Sequence, residues 1–301
     1  MIQAEGLTKR YGAKTAVDGI SFTVRPGLVT GFLGPNGAGK STTMRMIVGL
    51  DRPSAGSVTV NGKPYAEHTS PLREVGALLD AKAIHPGRSA RNHLLAVGAT
   101  HGIGAKRVDE VIGLTGLESV AGRRVGGFSL GMGQRLGIAA ALIGDPATLI
   151  LDEPVNGLDP EGVIWVRNLA RHLAGEGRTV FLSSHLMSEM ADHIIVLGRG
   201  RIIADAPVAA ILAGGNTTTV VTVRTPDAAR FTPLLEQASA TVTTAEPDLL
   251  TVSGIPAPRI GELAAGAQIV LHELTPVSSS LEEAYLELTK DDVEYHAGGT
   301  Q

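Results

Sequence analysis

The chain contains no cysteine, so no disulfide framework and no thiolate metal site can hold it together, which suits a reducing compartment. Aromatic residues are scarce as well. They make up 3% of the 301 positions, with a single tryptophan, so aliphatic side chains must fill the core that a 43% hydrophobic content can build. No apolar run is long enough to cross a bilayer. The best, "RLGIAAALIGDPATLILDEP", is broken by charge and proline, and an integral membrane protein is not expected. The opening "MIQAEGLTKRYG" has no apolar stretch behind a basic flank, which argues against a secretory signal. Glycine is abundant instead, with 38 residues, and implies tight turns and close backbone approaches.

The formal charge of -4 conceals an uneven distribution. Beyond Gly215, 12 acids face 4 bases, whereas 18 acids face 22 bases up to that point. An acidic tail argues against a grip on nucleic acid or anionic lipid by that part of the chain, and no nucleic-acid partner is expected.

Short β-branched and aliphatic runs, "LVTGFLG", "TLILDEP", "TVFLSSH" and "HIIVLGRG", alternate with longer helical patterns such as "KSTTMRMIVGL" and "EGVIWVRNLARHLAGEG". That alternation predicts an α/β fold with a parallel sheet covered on both faces. The opening "IQAEGLTKRYGAKTAVDGISFTVRPG" reads as antiparallel strands joined by turns. Residues from about 89 to 144 lack strand signals and read as helical. "LAGGNTTT" reads as a linker. It would divide a domain of residues 1–214 from a small acidic α+β domain of residues 215–301, with strands in "TVVTVR", "TVTTAE", "LLTVSG" and "AQIVLHEL" and helices in "DAARFTPLLEQA" and "SSSLEEAYLELTK".

"GPNGAGKST" fits the G-x-x-x-x-G-K-[ST] phosphate loop and sits between a strand and a helix, the context that gives the pattern meaning. Gly34, Gly37 and Gly39 allow the backbone to curl with its N–H groups inward around a phosphate. Lys40 can reach the β- and γ-phosphates, and Ser41 can offer a hydroxyl to Mg²⁺. The helix behind them presents its positive end to the anion. Met44, Ile47 and Val48 fall on one face of that helix and should pack on the sheet. "TLILDEP" then places Asp152 and Glu153 at the carboxyl end of a buried strand, where ligands of open α/β sheets bind. Neighbours on an extended strand point apart, so the two acids can divide the work. Asp152 would hold Mg²⁺ through water. Glu153 would orient the attacking water and take its proton, a role typically worth about 10²- to 10⁴-fold.

The stretch "GGFSLGMGQRLGIAAALIGDPATLILDEPVNGLDP", between the phosphate loop and "LSSH", resembles the ATP-binding cassette ATPases, the nucleotide-binding subunits of ABC transporters. The resemblance runs from about residue 2 to 212. It implies a P-loop NTPase cassette with a RecA-like sheet core, an antiparallel β subdomain and a helical subdomain, binding ATP with Mg²⁺. It further implies that Tyr11 stacks on adenine with Val17 nearby, and that Gly34, Pro35, Asn36, Gly37, Ala38, Gly39, Lys40, Ser41 and Thr42 hold the phosphates. "FSLGM", residues 128–132, is similar to the family signature, with Ser129 and Gly131 at the polar positions. Ser129 can also cap the following helix and aim its amino end at a phosphate. In the family that phosphate belongs to a second subunit. Two chains are therefore expected to sandwich two ATP molecules, with Asp159 of "VNGLDP" touching the opposite site and His185 of "LSSHL" contacting the γ-phosphate. The resemblance also implies docking on a separate polytopic permease at the cytoplasmic face of the cell membrane.

The departures from the family pattern are specific. Leu130 and Met132 stand where Gly and Gln are most usual, and Asp80 in "GALLDAKAIHPG" stands where a glutamine generally senses Mg²⁺ and the attacking water. An acid at that point, together with "GLTKRYGAKTAVDGISF" and "TPVSSSLEEAYLELT", is similar to bacitracin-resistance and lantibiotic-immunity cassettes of the ABC-2 drug-export group. A carboxylate buried among Ala77, Leu78 and Leu79 would need a cation or water, so Asp80 is expected to meet Mg²⁺ through water; an exposed loop acid is the alternative. The other histidines, His93, His101, His172, His193 and His272 among them, show no metal-binding spacing. Trp165 reads as a core residue, and Glu282 and Glu283 as a solvated helix face.

Overall fold

A computed structural model describes residues 1–80, 84–184, 190–214 and 220–277. These fall into two compact units, one beginning at Met1 and running to Val208, the other beginning at Ala209. The stretch read as a linker lies largely outside the described residues, as do His185 and the helix expected in "SSSLEEAYLELTK".

The first unit opens with an antiparallel sheet of β1 (Ile2–Tyr11), β2 (Lys14–Val24) and β4 (Ala55–Val60), in the order β2-β1-β4. Ile2 pairs with Val24 on one side and with Val60 on the other, and all three are fully buried. A second sheet contains β3 (Val29–Leu33), β5 (Val75–Leu78), β6 (Thr148–Leu151), β7 (Thr179–Ser183), β8 (His193–Gly198) and β9 (Arg201–Pro207), ordered β5-β6-β7-β3-β8-β9. It is parallel except for β9, which pairs antiparallel with β8. Every residue of β3, β6 and β7 is buried, as their unbroken apolar runs require of strands covered on both faces. β9 is the strand the sequence hid, because an edge strand can carry polar residues and end on a proline. Phe22 of β2, Phe32 of β3 and Phe181 of β7 join the two sheets, with ring centroids 5.0 to 6.0 Å apart. So few aromatics suffice because three of the five phenylalanines meet in one cluster.

Helix α1 (Lys40–Ile47) follows β3, the single turn α2 (Pro71–Glu74) precedes β5, and α6 (Pro160–Gly175) connects β6 to β7. Between β5 and β6 lie α3 (Ala90–Ala99), α4 (Ala105–Leu114) and α5 (Leu130–Leu142), the helical segment anticipated from the sequence. Trp165 differs from expectation. It is half-buried at a joint, where its indole Nε1 donates to Leu114 O at 3.3 Å and the Arg135 guanidinium lies 4.6 Å from the ring centre.

The second unit opens within helix α7 (Val208–Gly214) and contains β10 (Val220–Arg224), α8 (Ala228–Gln237), β11 (Thr241–Glu246), β12 (Leu249–Ser253), α9 (Ala257–Gly266) and β13 (Glu273–Val277). The strands form one antiparallel sheet ordered β11-β12-β10-β13, a split β-α-β arrangement. Val221, Val223, Leu250 and Val252 point from one face into a core shared with Phe231, Leu235 and Ile260 of the two helices. The registers set Thr243, Thr251, Thr222 and Thr275 side by side across the four strands. "AQIVLHEL" is not the strand its apolar residues suggested. Its Ile269 N–H bonds to Ala264 O at 2.9 Å, so these residues close the end of α9, and pairing begins only at Glu273. α9 itself was missed because "APRIGELAAG" mixes proline and glycine into a short helix.

Candidate nucleotide-binding site

The phosphate loop leaves the carboxyl end of β3 in the middle of the parallel sheet. Gly34, Gly37 and Gly39 have φ of 157°, 85° and 107°. Two of them are also confined by space. A Cβ on Gly34 would lie 2.5 Å from Leu197 O, and one on Gly39 would lie 2.5 Å from Ala16 O. Ala38 is buried and donates its N–H to Pro35 O at 3.1 Å, whereas Asn36 and Gly37 are exposed. Lys40 begins α1 and folds back into the loop, donating from Nζ to Gly34 O at 2.5 Å and to Pro35 O at 3.3 Å. Burial lowers its pKa, opposed by the nearby charges of Glu153 and Asp152. An ammonium held this way can exchange carbonyl oxygens for phosphate oxygens with little movement. Ser41 is exposed on the first turn of α1, beside Thr42.

The acid pair emerges from β6, separated from β3 by β7 alone. Ser183, the last residue of β7, joins the two acids. Its Oγ donates to Asp152 Oδ1 at 2.5 Å and accepts the Glu153 N–H at 2.8 Å. Glu153 has φ of +47°, a left-handed conformation that a glutamate adopts only when its surroundings impose it. Part of that constraint comes from Gln134 in α5, buried, whose Nε2 donates to Glu153 O at 2.9 Å. Ser183 and Gln134 were not singled out from the sequence. The available signal was a polar residue at the end of an apolar strand and another on a buried helix face.

Lys40, Ser41, Thr42, Asp152 and Glu153 line one cleft of about 370 Å³, together with Pro35, Asn36, Gly37 and Gly39. Tyr11, Lys14 and Ala16 form its outer wall. Val17 does not share that wall. It is fully buried in the hydrophobic core behind Gly39, so the neighbour of a base stacked on Tyr11 would be Ala16. Two carboxylates and the Ser41 hydroxyl give the cleft hard oxygen donors, and the Ser183 bond leaves Asp152 Oδ2 for a water. That donor set fits Mg²⁺, which keeps most of its own waters.

The other anticipated residues lie apart from this cleft. Ser129 caps α5, its Oγ accepting the Met132 N–H at 3.2 Å. Asp159 caps α6 in the same manner, with Oδ1 accepting from Gly162 N at 2.9 Å. Gly131 faces the loop before α6, where an added Cβ would come within 3.0 Å of Gly157 O. Leu130, 52% exposed, covers Gly157, which has a left-handed φ of +73°. Asp80 is exposed at the end of β5, not buried among its apolar neighbours, and does not line the cleft. It stands two residues beyond Leu78, whose carbonyl accepts the Asp152 N–H at 2.8 Å.

Residues 17–156 match the ABC transporter family, and residues 219–282 match a domain of unknown function, DUF8746. The bacitracin transport ATP-binding protein BcrA of Bacillus licheniformis is 41% identical over 213 residues, 69% of this chain and 70% of that protein. An uncharacterized ABC transporter ATP-binding protein of Bacillus subtilis, YhcH, is 36% identical over 98% of this chain and 99% of its own length. Among solved structures, the ATP-binding subunit of an ABC transporter superposes with a TM-score of 0.65 at 25% identity, covering 71% of this chain and 92% of that one. The chain belongs to the ABC transporter family, as one of its ATP-binding, ATP-hydrolysing subunits.

Proposed function

We propose that this subunit is a Mg²⁺-dependent ATPase that works as a pair on a separate membrane permease, at the cytoplasmic face, and drives export of peptide antibiotics or other drug-like hydrophobic compounds. The observation that carries the reading is the meeting of Lys40, Ser41, Asp152 and Glu153 in one cleft at the carboxyl end of the sheet. The loop N–H groups and Lys40 would bind the phosphates, Ser41 and Asp152 would hold Mg²⁺ with Asp152 acting through water, and Glu153 would position water and receive its proton. Mg²⁺ would supply charge neutralisation between the phosphates. Asp80, two residues beyond β5 and outside this cleft, would reach the metal's water shell only as the two subdomains close. Ser129 and Gly131 would complete the phosphate site of the other copy, Asp159 would contact it from the neighbouring loop, and His185 would meet the γ-phosphate.

The choice of cargo rests on the named relative that transports bacitracin, and on the acid at position 80. No helix among the described residues is long and apolar enough to cross a membrane, and in this reading the permease supplies the transport pathway. Purified Glu153→Gln with ATP tests the reading. It should release phosphate at least about 100-fold more slowly and accumulate a nucleotide-dependent dimer. Unchanged turnover and a monomer in ATP would sink it. Co-purification with a permease, and loss of antibiotic resistance when Lys40→Ala replaces the wild type, would test the transport assignment.

A further inference from the structure

The cleft has a feature that the phosphate-binding residues do not account for. Tyr11 sits at the tip of the β1–β2 hairpin, half exposed and on the cleft wall, where a ring on a hairpin tip would ordinarily be free to swing. Here it is fastened at both ends. Its phenol donates to Asp51 Oδ2 at 3.1 Å. The Lys9 ammonium lies 5.0 Å from its ring centre and is itself anchored on Arg52 O at 2.6 Å.

Asp51 is in turn fixed to the phosphate-loop helix. Arg45, in the last turn of α1, donates from Nε to Asp51 Oδ2 at 2.7 Å and from Nη2 to Oδ1 at 3.4 Å. The Asp51 N–H returns to Arg45 O at 3.3 Å. The Arg45 hydrogen bond holds the Asp51 carboxyl below its ordinary pKa, so the link persists as a charged pair at neutral pH.

A continuous path therefore runs from the helix whose amino end carries Lys40 and Ser41, through Arg45 and Asp51, to Tyr11. We infer that Asp51 and Arg45 are positioning residues for base recognition: they lock the Tyr11 ring at a fixed distance from the phosphate loop, so that one purine base reaches it when its phosphates are seated. The Lys9 ammonium lies against one face of the ring, and the base would stack on the opposite face. A pre-set ring removes ordering cost from nucleotide binding. The inference rests on the assignment of this cleft to ATP.

The test compares MgATP with magnesium tripolyphosphate, which carries the phosphates without the base, by calorimetric titration of the full chain. Tyr11→Phe keeps the ring and removes only the hydroxyl, and Asp51→Asn removes the acceptor's charge. Each should weaken ATP about 5- to 10-fold and leave tripolyphosphate within about 2-fold, which also reports that the variant is folded. The double variant should be no weaker than the worse single one, because both break the same link. An unchanged ratio of the two affinities in both single variants, or an equal loss for both ligands, overturns the lock. Wild-type protein that binds ATP no better than tripolyphosphate overturns base recognition by Tyr11 altogether, and with it the adenine side of the nucleotide assignment.

Discussion

Ser183 and Asp152 share a 2.5 Å hydrogen bond, and the same hydroxyl accepts the main-chain N–H of Glu153, so one side chain on β7 sets the orientation of both acids. Ser183→Ala would leave the Glu153 N–H without its partner and release Asp152 to rotate. We expect turnover to fall about 10- to 30-fold while ATP affinity changes by less than about 3-fold, since no phosphate-binding group is touched. Stability should drop by about 1 to 2 kcal/mol. Phosphate release and urea unfolding check both parts, and an equal loss in affinity and turnover would mean that Ser183 serves binding instead.

The second expectation concerns Gln134. Its side-chain amide crosses from α5 to the Glu153 carbonyl and helps hold a glutamate at φ +47°. Gln134→Leu preserves bulk on a buried helix face but cannot donate. Glu153 should then relax toward an ordinary conformation and swing its carboxylate from the water it is meant to activate. Turnover should fall about 10-fold or more, and Gln134→Glu, which offers an acceptor against an acceptor, should be worse still. Steady-state phosphate release at saturating ATP measures the effect. Equal activity in wild type and Gln134→Leu would show that other contacts impose the strain.

Much of this arrangement was legible before the structure, for a physical reason. Strands buried on both faces must be apolar throughout, so β3, β6 and β7 announce themselves as runs, and the residues that follow them stand at the ligand-binding edge. Gly34 and Gly39 were legible because no other residue fits where their backbone passes Leu197 and Ala16. Val17 was misplaced because sequence gives no direction for a side chain at a strand irregularity, and β1 and β2 shift register between Lys9 and Arg10, opposite Val17. Ser183, Gln134 and Asp51 were illegible because their partners lie 19 to 40 residues away and are brought near only by the fold, and Arg45 because it acts through Asp51.

Asp145 offers a pH-dependent expectation. It precedes β6 at φ +53° and receives Arg178 Nη1 at 2.7 Å, with Arg107 Nη2 at 3.5 Å. The Arg178 hydrogen bond lowers its pKa, with the Arg178 and Arg107 charges adding to the effect against burial. A carboxylate with a depressed folded-state pKa adds stability that is complete above its unfolded value, about 3.9, and is lost as pH falls through the lower folded value. Asp145→Asn tolerates the same left-handed backbone and removes only the charge. Wild type should exceed it by about 0.5 to 1 kcal/mol at pH 7, a modest figure because the carboxylate is largely exposed to solvent, and the difference should shrink as pH falls below about 3.9. Urea titrations at several pH values between 7 and 3 would decide it, and a constant difference across that range would contradict the charge argument.

Trp165 provides the last expectation. It projects from α6, whose amino end is capped by Asp159, toward the carboxyl end of α4, and Arg135 of α5 bridges the joint by covering the indole and donating Nη1 to Thr115 O at 3.1 Å. α5 starts at the Ser129 cap, so Trp165 sits where the helix behind "FSLGM" meets the helix behind "VNGLDP". A rotation of the helical segment toward bound nucleotide would have to move Arg135 across the indole. Because Trp165 is the chain's only tryptophan, its emission reports that joint without background. MgATP should change the emission of wild type and of Glu153→Gln, persistently in the latter because its nucleotide is not consumed. Arg135→Leu should alter the starting spectrum and abolish most of the response while leaving magnesium tripolyphosphate affinity within about 2-fold, since the loop around Lys40 lies outside the joint. Identical spectra with and without MgATP in both wild type and Glu153→Gln would mean that this joint is rigid, and that any closure of the site pivots elsewhere.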